Sequence, residues 1–331
     1  MEPLRVALVG LGSWSAMHEN ALRKTQLLKL STCYTRTQEK AKKFSQENNC
    51  DYETSYENVL KRNDVDAVIL CTPHTTHPEM AIQAAEAGKH LLIEKPLANT
   101  VAECKRMISA FEKAGLVLSV CQDRRWWEPV RKMKELITKG EVGKLILGEA
   151  NYLNPSGFGI TRDKWRWYKS ESPGGPLAYL GVHMIDSLRF LLDPNVVEVD
   201  ATLDKMGVSA EIDDIALLRL KFASGVYAIS AAVFTIPRGT YMNVFGTRMN
   251  LFLVEKLGLT SQKLGSDSRE MIDYVEADPI QREQEDFARA ISEKRKPEVD
   301  GYEGMANIAV IEAAIKSSNE KRPVQIKEVM N

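Results

Sequence analysis

Through its first third the chain alternates short apolar runs with stretches of helical period. LRVALVG, KLSTCYT, DVDAVILCT, HLLIEK and LVLSVC read as strands buried on both faces. Between them SAMHENALRK, QEKAKKFSQEN, SYENVLKR and TTHPEMAIQAAEAGK read as helices, with a short strand at DYET. Thr37 is placed to cap one helix. Pro78 suits the first turn of another and Gly88 its exit. Thr100 and Glu103 predict a capping box for a helix that ends near Gly115. Repeated strand–helix–strand units of this length require parallel crossovers, so the pattern predicts a doubly wound α/β sheet with helices on both faces.

The rhythm changes after about residue 122. Helical signals at EPVRKMKELITKG and GGPLAYLGVHMIDSLRFLL enclose ILGEANYL, and a series of strands follows from VVEVDATL to NLFLVEK. The FASGVY turn between two of them predicts a mostly antiparallel sheet in an α+β domain. A helix from about Gln281, another at MANIAVIEAAIKSS and a short VQI strand end the sequence. Two domains are expected, 1–122 and 123–331, sharing a cleft.

Charge and composition narrow the function classes. The 44 basic and 45 acidic side chains leave a formal charge of -1, which favours neither a polyanion nor an anionic membrane as partner. The five cysteines form no C-x-x-C pair and read as reduced core residues, and no apolar run reaches bilayer-spanning length. A cytoplasmic protein with a small-molecule ligand is the expectation.

Gly10-Leu-Gly12 follows the first strand and opens a helix. The first glycine permits a tight turn and the second lets backbone amides reach a pyrophosphate at the positive helix end. Ser13 and Trp14 lie in the same turn, and Ser15 replaces the usual third glycine. The end of the second strand carries Thr35, Arg36 and Thr37 with no acidic residue, which suits a 2'-phosphate and predicts NADP, with NAD as the alternative if Arg36 is merely a solvated charge.

Ligands of such sheets bind beyond the carboxyl ends of the strands. Thr72, Pro73, His74 and His77 follow one strand, and Glu94, Lys95 and Pro96 end its neighbour. All are candidate cofactor contacts, and Lys95 is the candidate catalytic cation; the plainer reading is a lysine that reaches water beside Glu94. A Lys95–Pro96 peptide in the cis form would fix that lysine. On the helix from Gly174, a wheel of 100° per residue sets Tyr179, His183 and Asp186 opposite the leucines. That arrangement offers a proton-transfer group with Asp186 to orient the imidazole. His74 and His77 lack a completing ligand set, so no metal is expected. The DRRWWEP and TRDKWRWYK clusters read as pocket lining or interdomain packing rather than a nucleic-acid platform.

The GLG turn, TPHTTH, EKP, DRR before KGEVGK, and GG followed by GVHMID together resemble the glucose-fructose oxidoreductase, inositol dehydrogenase and rhizopine catabolism (Gfo/Idh/MocA) family. The similarity extends to QREQEDFARAI, PEVDG and SSNEKRPVQI. It implies an N-terminal Rossmann domain, a C-terminal domain whose large open sheet often makes a homodimer or homotetramer, and NAD(P)-dependent chemistry on sugars or polyols. Lys95 and His183 match the family's EKP lysine and G-x-H-x-x-D histidine, and Trp165 and Arg166 its W-R pair near the cofactor. Lys95, Arg125, Trp165, Tyr168, Tyr179 and His183 are the expected substrate contacts. Many polyol dehydrogenases of the family carry Asp where this chain has Tyr179, which leaves the acid/base open between Tyr179 and His183. It also leaves room for a non-catalytic NADP-binding sensor; a third reading, after distant relatives, is a glycosidase-type enzyme that oxidises its substrate transiently.

Overall fold

The structure is a computed structural model and describes residues 2–330. Its contacts divide the chain into two compact units. One runs to Asp123 and takes up Asp278–Ala306; the other comprises Arg124–Ala277 and the segment from Asn307. The return of 278–306 to the first unit corrects the simple division at 122/123. Its cause is apolar: Phe287, fully buried, joins Val6, Leu8, Ile69 and Leu92 in one core cluster.

The first unit alternates as its apolar runs require: β1 (Leu4–Val9), α1 (Ser15–Leu22), β2 (Leu28–Tyr34), α2 (Gln38–Asn48), β3 (Asp51–Glu53), α3 (Tyr56–Lys61), β4 (Ala67–Leu70), α4 (His77–Glu86), β5 (His90–Ile93), α5 (Val101–Ala114) and β6 (Leu118–Val120). The strands lie parallel in the order β3-β2-β1-β4-β5-β6. All four residues of β4 are inaccessible, as expected of a strand covered on both faces. Thr100 and Glu103 form the capping box: Oγ1 of Thr100 accepts from the Glu103 amide at 3.2 Å, and Oε2 of Glu103 accepts from the Thr100 amide at 3.0 Å. Thr37 stands at the start of α2, but its side chain makes no capping bond. The strand order reverses between β1 and β4, so the ligand crevice of this fold opens beyond Val9 and Leu70.

The second unit begins with α6 (Glu128–Thr138), β7 (Leu145–Leu153), α7 (Val182–Leu191), β8 (Val196–Asp204), β9 (Ile215–Phe222) and β10 (Tyr227–Val233). There follow β11 (Gly239–Gly246), β12 (Met249–Val254), β13 (Gly258–Lys263) and β14 (Glu270–Met271). After α8 (Pro279–Ser292) of the first unit, α9 (Gly301–Glu320) leads back to β15 (Val324–Gln325) and α10 (Lys327–Met330). The nine strands order as β14-β13-β12-β11-β7-β10-β9-β8-β15, antiparallel except where β10 pairs with β7. β9 and β10 are the hairpin expected at FASGVY.

One local prediction needs correction. Leu177–Gly181 is a single wide π-helical turn that leads into α7, so the uniform 100° wheel through Tyr179 and His183 does not hold. Nor is α7 two-faced: Met184, Leu188 and Leu191 are buried, and so are His183, Asp186 and Arg189. Among the described residues no helix is long and apolar enough to cross a membrane.

Candidate active site

Gly10 leaves β1 with φ +90°, and a Cβ there would stand 2.6 Å from the carbonyl oxygen of Cys71 at the end of β4. Only glycine fits this conformation and approach. The turn is closed by the Ser15 hydroxyl, which donates to the carbonyl of Gly12 at 2.7 Å. Ser15 thus ties the turn to the first residues of α1. Gly12 faces open space, Ser13 is exposed and Trp14 half-buried. The α1 terminus has no side-chain cap and no acidic residue in its first turn; the Met17 and His18 amides already bond the Trp14 carbonyl, so an anion would meet only the opening amides of the helix. These features fit a pyrophosphate. At the end of β2, Thr35 is half-buried while Arg36 and Thr37 are exposed, where they could meet a 2'-phosphate.

Lys95 follows β5 and is only 6% exposed, with Nζ 5.7 Å from the centroid of the Trp14 ring. The strand-end lysine therefore lies beside the dinucleotide turn and does not reach into bulk water. Its bond to Pro96 is cis. Thr72 and Pro73 are half-buried beyond β4, and His74 is buried, its ring centroid 5.9 Å from that of His77.

His77, expected to touch cofactor, is fully buried and turns both ring nitrogens to the backbone: Nε2 lies 2.9 Å from the Thr72 carbonyl and Nδ1 3.0 Å from that of Pro96. Burial pushes its pKa below the usual imidazole value, although the carbonyls of Thr72, Pro96 and Leu97 pull the other way. The ring ties the end of β4 to the Lys95–Pro96 segment. It is a structural residue on this geometry.

Glu94 does not simply stand beside Lys95 at the strand end. Its Oε1 accepts from Nε2 of buried His18 at 2.9 Å, and Oε2 accepts the Lys95 amide at 3.2 Å. Behind them lie Cys121, whose sulfur is 3.9 Å from His18 Nε2, and Glu283 and Gln284 of α8. Burial, reinforced by Glu283 and Glu94, pushes the Cys121 thiol well up. Burial likewise pushes Glu283 up to about 8, the Glu94 charge adding to it and His18 opposing. The donor atoms of His18, Glu94 and Cys121 lie within 4.8 Å of one another, a spacing that would admit a metal ion, but the first two already bond directly. None of His18, Cys121, Glu283 and Gln284 was singled out by the sequence.

In the second unit His183 is 3% exposed and its ring centroid lies 5.9 Å from that of Tyr152 on β7. Tyr179 is half-buried and stacks on Arg166, whose guanidinium carbon is 4.6 Å from the Tyr179 ring and 4.3 Å from the Trp165 ring. Arg166 Nε is buried without a hydrogen-bond partner, a donor available to a ligand. Burial lowers its pKa, and Tyr179 opposes that.

Asp186, fully buried, accepts from Arg125 through both oxygens and from Asn307 Nδ2 at 3.0 Å. Its first task is to neutralise a buried guanidinium. Arg125 is correspondingly a core residue of this unit rather than an open substrate hand. Tyr168 is 40% exposed and donates its hydroxyl to the Arg162 carbonyl at 3.0 Å, which closes its own loop. Arg124 stacks 3.4 Å over the Trp127 ring and donates to the Tyr152 hydroxyl at 3.0 Å. The Arg–Trp clusters are therefore largely internal cation–π stacks.

Comparison with known proteins gives these geometries a context. Residues 4–122 match a family model described as "Oxidoreductase family, NAD-binding Rossmann fold". Residues 130–252 match the "GFO/IDH/MocA C-terminal domain". The 1,5-anhydro-D-fructose reductase of Ensifer adhaerens is 35% identical over 186 residues, which is 55% of this chain and 54% of that protein. The chain thus spans about half the length of that relative. Myo-inositol 2-dehydrogenase of Thermotoga maritima is 26% identical over 99% of this chain and 100% of its own. A solved structure from Desulfitobacterium hafniense, provisionally termed an NADPH-dependent oxidoreductase, superposes with a TM-score of 0.96 at 32% identity over the full length of both chains.

Proposed function

Because the chain belongs to the GFO/IDH/MocA oxidoreductase family, we propose that it moves a hydride between NADP and a carbinol or carbonyl carbon of a sugar, polyol or related small molecule. The observation that carries this reading is the buried Lys95 beside Trp14 and the glycine turn, at the carboxyl edge of a parallel sheet. A lysine in that position has a task other than solubility.

The cofactor, when bound, supplies the hydride acceptor or donor. Gly10, Gly12, Ser13 and the opening amides of α1 would hold its pyrophosphate, and Thr35, Arg36 and Thr37 its adenosine end. Thr72, Pro73 and His74 would line its ribose and nicotinamide side. Lys95 binds and polarises the substrate oxygen, because an uncompensated alkoxide in a dry cleft is costly. His183 or Tyr179 exchanges the hydroxyl proton, and Asp186 supports the helix that carries them. The absence of any carboxylate at 35–37 supports NADP over NAD.

The face of the nine-stranded sheet bearing Leu217, Tyr227 and Ile229, which are 49%, 39% and 45% exposed, supports self-association through that sheet. A cytoplasmic location belongs to the same reading. Fluorescence titration with NADPH and NADH, then an absorbance assay across a sugar and polyol panel, tests the function. NADPH should bind more tightly, and Arg36→Ala should lose about tenfold of that affinity while NADH binding stays unchanged. A wild-type preference for NADH refutes the role of Arg36. Failure of every substrate to change the cofactor's redox state refutes the reaction.

A further inference from the structure

We infer that His18 is a positioning residue for Lys95, acting through Glu94 and held in place by Gln284. The three contacts form one buried line. Gln284 Nε2 donates to the His18 carbonyl at 3.1 Å and lies 3.1 Å from His18 Nδ1. The carbonyl can only accept, so it fixes which end of the Gln284 amide faces the ring. Although burial opposes its charge, Cys71 and Glu94 hold the His18 imidazole well above its usual pKa, and its Nε2 faces Glu94 Oε1 at 2.9 Å. The remaining oxygen of Glu94 accepts the Lys95 amide at 3.2 Å.

His18, Glu94, Lys95 and Gln284 are all less than a tenth exposed, so water does not replace any of these bonds cheaply. On the other side of Lys95, His77 holds the Pro96 carbonyl at 3.0 Å. The backbone that carries the ammonium is thus held at the Lys95 amide by Glu94, which His18 bonds, and at the Pro96 carbonyl by His77. A group that must meet a substrate oxygen needs such support, since a misplacement of about 1 Å can cost about 10²-fold in rate. The carboxamide comes from α8, which gives the return of 278–306 to the first unit a consequence for the site as well as for its core.

The inference rests on the reading of Lys95 as the substrate-binding cation, and its test separates the two. Competitive acylation of the intact protein by acetic anhydride, with peptide mass spectrometry, reads how exposed the Lys95 amine is without any substrate. His18→Leu should raise acylation at Lys95 several-fold over wild type, and His18→Gln, which keeps an N–H donor toward Glu94, should restore much of the protection. Gln284→Met gives the same direction with less damage to the core, should His18→Leu fold poorly. With a substrate from the panel, His18→Leu should lose kcat about 10²-fold while KM and NADPH affinity change little. Lys95 acylation and kcat at wild-type levels in both folded variants overturn the inference. A shift in acylation in a protein that turns over no substrate sustains the positioning role and refutes the proposed reaction.

Discussion

The guanidinium of Arg125 lies bidentate on the carboxylate of Asp186, with Nε to Oδ2 at 3.0 Å and Nη2 to Oδ1 at 2.7 Å, both side chains buried. Asn307 extends the network, donating to Asp186 and accepting from Arg189 Nη1 at 2.7 Å. Two residues that look like open site chemistry in the sequence are therefore first of all a desolvated ion pair.

Removing one partner of such a pair leaves a buried charge, which costs about 3–5 kcal/mol. Asp186→Ala should lose that much in urea unfolding. The double variant Arg125→Met with Asp186→Leu should recover most of it, because neither charge is then stranded. An Asp186→Ala protein of unchanged stability would contradict the pairing.

Gly10→Ala should destabilise the first unit by at least about 1–3 kcal/mol, the cost of holding a non-glycine residue in a sparsely populated backbone region. The contact of its Cβ with Cys71 adds to that. Lower thermal stability together with weakened NADPH binding is the expected pair of results; Gly12→Ala, facing open space, should leave stability nearly intact.

Much of the fold is visible in the sequence because its signals are local. The apolar runs of β1, β4 and β5 sit between glycines, prolines and capping residues, and the Thr100 box and Gly115 exit mark α5 within a few residues of each end. What stays hidden depends on distance along the chain. His18 and Gln284 are separated by 266 positions, and neither carries a pattern that announces the other. The π-turn at Leu177–Gly181 is likewise set by packing rather than period: a Cβ on Gly181 would meet Leu177 Cδ1 at 2.6 Å and Ala232 at 3.3 Å. His77 reads as a ligand because it sits among the candidate residues Thr72 and Pro96; only the geometry shows that its ring nitrogens face their carbonyls.

Glu283 makes a pH prediction. Its carboxyl, raised from the usual 4.5 to about 8, keeps a proton in the folded chain that the unfolded chain has already released. Its contribution is complete below pH 4.5 and is lost as pH rises toward 8, with a slope of about 1.4 kcal/mol per pH unit between those limits. Glu283→Gln should therefore flatten urea-unfolding stability against pH over that window relative to wild type. Parallel profiles for the two proteins would show that Glu283 ionises normally.

The most direct test of the central claim compares wild type with Lys95→Met in two assays on the same samples, NADPH binding by fluorescence and cofactor turnover on a sugar or polyol from the panel. A lysine that stabilises charge at the substrate oxygen predicts a loss of about 10³-fold in kcat with cofactor affinity within a few-fold of wild type. Turnover near the wild-type rate in Lys95→Met would contradict it.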